Sequence, residues 1–129
     1  MKLQQAIDRV DEMRPNMQSR ELKIAWLSEL DGIIWTEIIE KHHKKPGEEI
    51  RLCVMPEYDS DTDPGKKLIV PAPYDNIYLY WLMSKIDEQT METEKFNNDR
   101  TMFNGAYESF SDFWTRSHMP KMTVRELRL

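Results

Sequence analysis

The 129-residue sequence contains one cysteine, Cys53, so no internal disulfide and no cysteine metal cage can form. Four glycines are too few for a fold built from many tight hairpins. No stretch approaches the ~20 continuous apolar residues of a membrane span. The opening residues, Met1-Lys2-Leu3-Gln4-Gln5-Ala6, lack the apolar core of a signal peptide. A basic excess is also missing: 18 Lys and Arg stand against 23 Asp and Glu, a net charge of −5. That balance disfavours binding to a phosphate backbone as the main activity. Glycine-rich phosphate loops, a G-x-S-x-G elbow and H-E-x-x-H are absent. What remains is a chain suited to a reducing, aqueous compartment, with no motif that asks for enzymatic chemistry or a cofactor. Its length and its 40% hydrophobic and 32% charged residues fit one mostly helical domain with a real core.

Helical periodicity is plain. Leu3, Ala6, Ile7, Val10 and Met13 form one stripe, ended by Arg14-Pro15. Ser19 is placed to cap a second helix, expected to reach about His43. Its apolar face, from Leu22 to Ile39, is wider than one neighbouring helix covers, so it either lies between several partners or meets another chain. Lys41, His42, His43, Lys44 and Lys45 crowd its end, where cations complement the helix dipole. The adjacent histidines point about 100° apart and are poorly placed to share a metal. After Pro71-Ala72-Pro73 comes the aromatic heart of the chain. It carries Tyr74, Ile77, Tyr78, Trp81, Leu82 and Ile86, then Phe96, Phe103, Tyr107, Phe110 and Trp114. One helix over residues 74–116 would run roughly 65 Å, too long for so small a domain, so a break is expected near Gln89 to Thr93. Thr90, followed by Glu92 and Glu94, resembles a capped, acidic first turn. The interleaved carboxylates favour a helix core over a base-stacking platform. His118 reads as a packed or capping histidine, and Cys53 as a structural thiol.

Residues 48–70 differ in character. Ile50 to Met55 and Lys67 to Val70 read as two short strands of a hairpin or extended insertion projecting from the helical body. The loop between them carries Asp59, Asp61 and Asp63 at the spacing that opens a calcium loop. Pro64 then takes the position that needs glycine, and Val70 the position that needs a bidentate Glu, so the pattern fails. A solvated turn, or an electrostatic contact for a basic partner, is the better reading. The basic tail after Pro120 alternates apolar residues and is too short for a core of its own.

Several stretches resemble a known family. They are Val70-Pro71-Ala72-Pro73-Tyr74-Asp75, Phe96-Asn97-Asn98, Met102-Phe103-Asn104, Tyr107, Arg116-Ser117-His118-Met119-Pro120, the opening Leu3 to Glu12, and Trp26-Leu27-Ser28-Glu29-Leu30-Asp31-Gly32. Together they are similar to small head–tail connector (adaptor) proteins of tailed bacteriophages and prophages of Gram-positive bacteria. One departure is local: Thr90-Met91 stands where an Asn-Gly pair is expected between the last two helices. The resemblance implies a structural virion protein of the neck, assembled in the host cytoplasm and not an enzyme. It would form a homo-oligomeric ring, commonly a dodecamer, beneath the portal protein. The ring would extend the DNA channel and join a downstream neck, stopper or tail protein, with DNA only passing through and no membrane involved.

The expected architecture is therefore mainly α: a small bundle of about four helices with a β-hairpin or extended insertion. Residues 1–120 form the connector domain, with the insertion at about 48–70, and residues 121–129 form a C-terminal arm. Candidate protein-interface residues are Trp26, Trp35 and Ile39 on the wide helix, and Tyr58, Asp59, Asp61 and Asp63 in the insertion. In the tail they are Met119, Met122, Val124, Arg125, Leu127, Arg128 and Leu129. No catalytic, cofactor or metal residue is assigned. The alternative is a small helical protein-binding module that forms no ring.

Overall fold

The computed structural model describes residues 1–43 and 54–118. Helix α1 (Leu3–Met13) buries Leu3, Ala6, Ile7 and Val10, the stripe its spacing predicts. Each fully buried aliphatic side chain contributes about 1.5–3 kcal/mol, which a helix this short needs to stay docked. Helix α2 (Arg20–Ile34) starts where Ser19 accepts a bond from the Leu22 N–H at 3.2 Å. It does not run to His43 as one α-helix. Beyond Ile34 the chain widens into a π-helical turn, Trp35–Ile39, closed by the Glu40 N–H bonding to the Trp35 carbonyl at 2.8 Å. One extra residue in a turn re-aims the later side chains by about 100°, and Ile38 and Ile39 are both buried there.

Helix α3 (Asn76–Gln89) and helix α4 (Thr93–Ser117) make an antiparallel pair, the most extensive helix–helix contact among the described residues. The break falls at Thr90 to Glu92, where Met91 takes a left-handed φ of 59°. Thr90 does not cap α4; its hydroxyl bonds back to the Ile86 carbonyl at 3.1 Å and so finishes α3. Along this pair the aromatic stripe is mainly core. Phe103, Phe110 and Trp114 are buried, and Trp81 meets Phe103 at 5.1 Å between centroids. His118 stacks on Trp114 at 3.6 Å and 8°, so it is the packed histidine expected.

The wide face of α2 is used within the chain. Helix α2 packs on α1 and α3, and the π-helical turn touches α4. Trp26 and Ile39 are accordingly buried, which corrects their assignment as interface residues, while Trp35 packs half-buried against the core.

The insertion is also corrected. No hairpin is seen among the described residues. Lys67 makes one antiparallel bridge with Lys2, while Leu68 N–H bonds to the Met1 carbonyl at 3.0 Å. Leu3 and Gln4 N–H groups, unpaired donors of α1's first turn, bond to the Lys66 and Pro64 carbonyls at 2.8 and 3.1 Å. Residues 64–68 therefore lie along the bundle and complete the start of α1. Of the first predicted strand, Ile50 to Cys53 lie outside the described residues, and Val54 and Met55 are not in a strand.

Candidate interaction surface

Two buried polar clusters hold the fold. In the first, Asp31 is fully buried on α2. It accepts from the Tyr58 hydroxyl at 2.5 Å, the Tyr78 hydroxyl at 2.6 Å and the Ile69 N–H at 3.3 Å. The Tyr78 hydroxyl in turn accepts from the Val70 N–H at 2.8 Å. Burial pushes the Asp31 carboxyl up to about 6 despite its donors. Burial, reinforced by the Asp31 charge, holds the Tyr78 phenol well above its usual value. This hub ties α2 and α3 to the connecting segment through both tyrosines and two backbone donors. Tyr58, expected at an interface, is thus a buried core residue.

The second cluster joins the α1–α2 connection to the far end of the α3–α4 pair. Arg14 is hydrogen-bonded to Asp87, and to Asp99 at 2.9 Å. Burial first, then the bond to Asp87, raises the Asp99 carboxyl to about 6, against the pull of Arg14. Alongside, buried Lys23 reaches Asp11 at 2.6 Å. These groups are paired with one another across elements, which is the pattern of structural ion pairs.

The sequence-predicted acidic residues are exposed but committed to local turns. Asp59 accepts from the Asp61 N–H at 2.9 Å, and Asp63 from the Gly65 N–H at 2.8 Å. Among the described residues no group of three or more His, Cys, Asp or Glu could hold a metal ion. His42 bonds through its ring to the Ile38 carbonyl at 2.6 Å, closing the helix end. Met119, Met122, Val124, Arg125, Leu127, Arg128 and Leu129 lie outside the described residues, as does Cys53.

The surface feature that sequence reasoning missed is a groove of about 420 Å³ between the π-helical turn and the α3–α4 pair. Ile33, Trp81 and Phe103 form its apolar floor. Arg100 stands at one end, its guanidinium carbon 5.3, 5.9 and 5.4 Å from the ring centroids of Trp81, Phe96 and Phe103. At the other end the Tyr107 hydroxyl donates to Glu37. Burial and then the Glu37 bond raise the Tyr107 phenol. The i, i+3, i+4, i+7 spacing of Arg100, Phe103, Asn104 and Tyr107 was legible as one face of α4. Which neighbour left that face open was not.

No protein-family model, curated protein or solved structure matches the chain. Among the described residues no helix is long and apolar enough to cross a membrane. Trp, Tyr and Arg on an apolar floor are the residues enriched where protein partners bind most tightly.

Proposed function

We propose that the protein is an assembly adaptor without bond-making chemistry, and specifically a head–tail connector subunit of a tailed bacteriophage. One observation carries the adaptor reading: the buried carboxylates and tyrosines of the two clusters are paired within the fold, whereas the groove beside α4 presents the half-buried Arg100 and Tyr107 over a largely covered aromatic floor. The connector assignment draws its support from the resemblance in Val70 to Asp75, Phe96 to Asn98, Met102 to Asn104 and Arg116 to Pro120. In this reading subunits form a ring under the portal protein, extend its channel and present a face to the next neck or tail protein. The exposed Asp59, Asp61 and Asp63 supply negative charge that keeps passing DNA from adhering. The segment 119–129 is the portal contact.

Light scattering on the purified protein, alone and mixed with the portal protein, tests this. A mass corresponding to a ring on the portal is expected. A chain that stays monomeric and never joins the portal sinks the connector assignment. Removal of residues 119–129 should abolish docking with helical content nearly unchanged.

A further inference from the structure

Among the described residues Arg100 has no counter-charge. No carboxylate of theirs lies within ion-pair distance of it, and it makes no hydrogen bond to any of them. Its contacts are the three rings, which engage the cation while leaving the N–H donors of the guanidinium unmatched. In a protein with a net charge of −5, leaving this half-buried arginine over an aromatic floor that exposes only a small part of Trp81 and Phe103 creates a local cationic site. The one acidic side chain of the groove, Glu37, is engaged by Tyr107. Tyr107 stands seven residues along α4 from Arg100, or about 10 Å at 1.5 Å per residue. The groove is thus polar at both ends, with opposite character, and apolar between them.

We propose that this groove receives a segment of a partner protein that presents an Asp or Glu carboxylate beside an aromatic or branched aliphatic side chain. Arg100 takes the carboxylate through its N–H fork, and Ile33, Trp81 and Phe103 take the apolar side chain. Charge complementarity selects this occupant. A basic segment would set its cation against Arg100 on a desolvated floor, and a neutral one would leave the guanidinium donors unmatched. A nucleic-acid strand fits less well, because Glu37 stands within the same groove and the basic groove that tracks a phosphate backbone is missing. That the occupant is a protein rests on the adaptor reading; the charge and apolar preference of the groove does not.

The test uses the isotope-labelled full chain, titrated by NMR with 3-phenylpropionate, with 3-phenylpropylamine and with phenyl phosphate. Binding of 3-phenylpropionate at millimolar concentration is expected, with shifts at Ile33, Arg100, Asn104 and Tyr107. The amine should leave those signals in place. Arg100→Gln should weaken the carboxylate about tenfold, the loss of roughly one charge-assisted contact. Arg100→Lys, which keeps the charge without the planar fork, should fall between the two. It also preserves the test if Arg100→Gln fails to fold. Equal binding of the amine, shifts confined to another surface, or an Arg100→Gln chain that binds as well as the natural one would overturn the assignment. Stronger binding of phenyl phosphate would overturn it in favour of a nucleic-acid contact. Concentration-dependent self-association abolished by Arg100→Gln would overturn it in favour of a second copy of the chain. A chain that passes the titration yet never joins the portal fails only the connector reading. One that joins the portal but binds the amine equally fails only this inference.

Discussion

Replacing Tyr78 with Phe keeps the ring and removes one oxygen from the centre of the molecule. That oxygen does two jobs, donating to Asp31 at 2.6 Å and accepting from the Val70 N–H at 2.8 Å. Both partners are fully buried. A hydrogen bond to a charged group contributes about 1.5–3 kcal/mol, and a buried donor left unmatched costs about 1–3 kcal/mol. The two share one site and do not simply add, so the expected loss is about 3–5 kcal/mol. A domain of this size is stable by about 5–15 kcal/mol. The variant should therefore still fold while melting roughly 10 °C or more below the natural chain. Urea titrations followed by far-UV circular dichroism measure the difference directly, with an unchanged m-value certifying that the same surface is exposed. Tyr58→Phe is the internal comparison. It removes a donor to Asp31 at 2.5 Å while leaving the Val70 N–H satisfied, and should cost less. A Tyr78→Phe loss below about 1 kcal/mol would refute the claim that this hub pins the connecting segment to the helices.

Acid should expose the same hub from the other side. With its carboxyl raised to about 6 in the fold, Asp31 favours the folded chain most below its unfolded value of 3.8, and that advantage fades as pH rises through about 6. The stability of the natural chain minus that of Asp31→Asn should therefore grow between pH 7 and pH 4, by up to about 3 kcal/mol; a flat difference would contradict it. Arg14→Met leaves Asp87 and Asp99 facing each other in a buried site. It should cost about 3–5 kcal/mol at pH 7, and less at pH 5, where the raised Asp99 carboxyl takes up a proton. Denaturant curves at both pH values that show the same deficit would argue against proton uptake by Asp99. Gly105→Ala on α4 adds a methyl that meets nothing within 4 Å. It should raise stability by about 0.5–1 kcal/mol, the helical preference of Ala over Gly; destabilisation in a thermal melt would show that the position needs glycine.

The helices were legible because periodicity reports directly on burial. Leu3, Ala6, Ile7 and Val10 could face only a core, and Ser19 could hardly be anything but a cap. The break between α3 and α4 showed as a fading stripe, even though Thr90 closes the earlier helix rather than opening the later one. Local patterns do not reveal who covers whom. Trp26, Ile39 and Tyr58 looked available for a partner because their neighbours inside the chain are far away in sequence. Lys67 to Val70 read as a strand because extended, β-branched residues do so, yet Lys67 and Leu68 pair with Lys2 and Met1, and the Ile69 and Val70 N–H groups bond to Asp31 and Tyr78. Asp31 carried a signal that went unused. It falls four residues after Leu27 and seven after Ile24, on the apolar stripe of α2, where a carboxylate needs buried donors. Tyr58 and Tyr78 supply them, but their distance in sequence hid the pairing.

The Arg14 clamp bears on how this protein is made. Its two partners lie 73 and 85 residues further along the chain. During synthesis α1, a short amphipathic helix, emerges before these partners, with only α2 to hold it through Arg20 to Gln4 at 2.7 Å and Lys23 to Asp11 at 2.6 Å. Its first-turn donors wait for Pro64 and Lys66, and its C-terminal end waits for Asp87 and Asp99. Both ends of α1 therefore stay unlocked until most of the protein has left the ribosome. A ribosome stalled before Asp87 would then carry an α1 that proteases can cut, and one stalled after α4 has emerged would not.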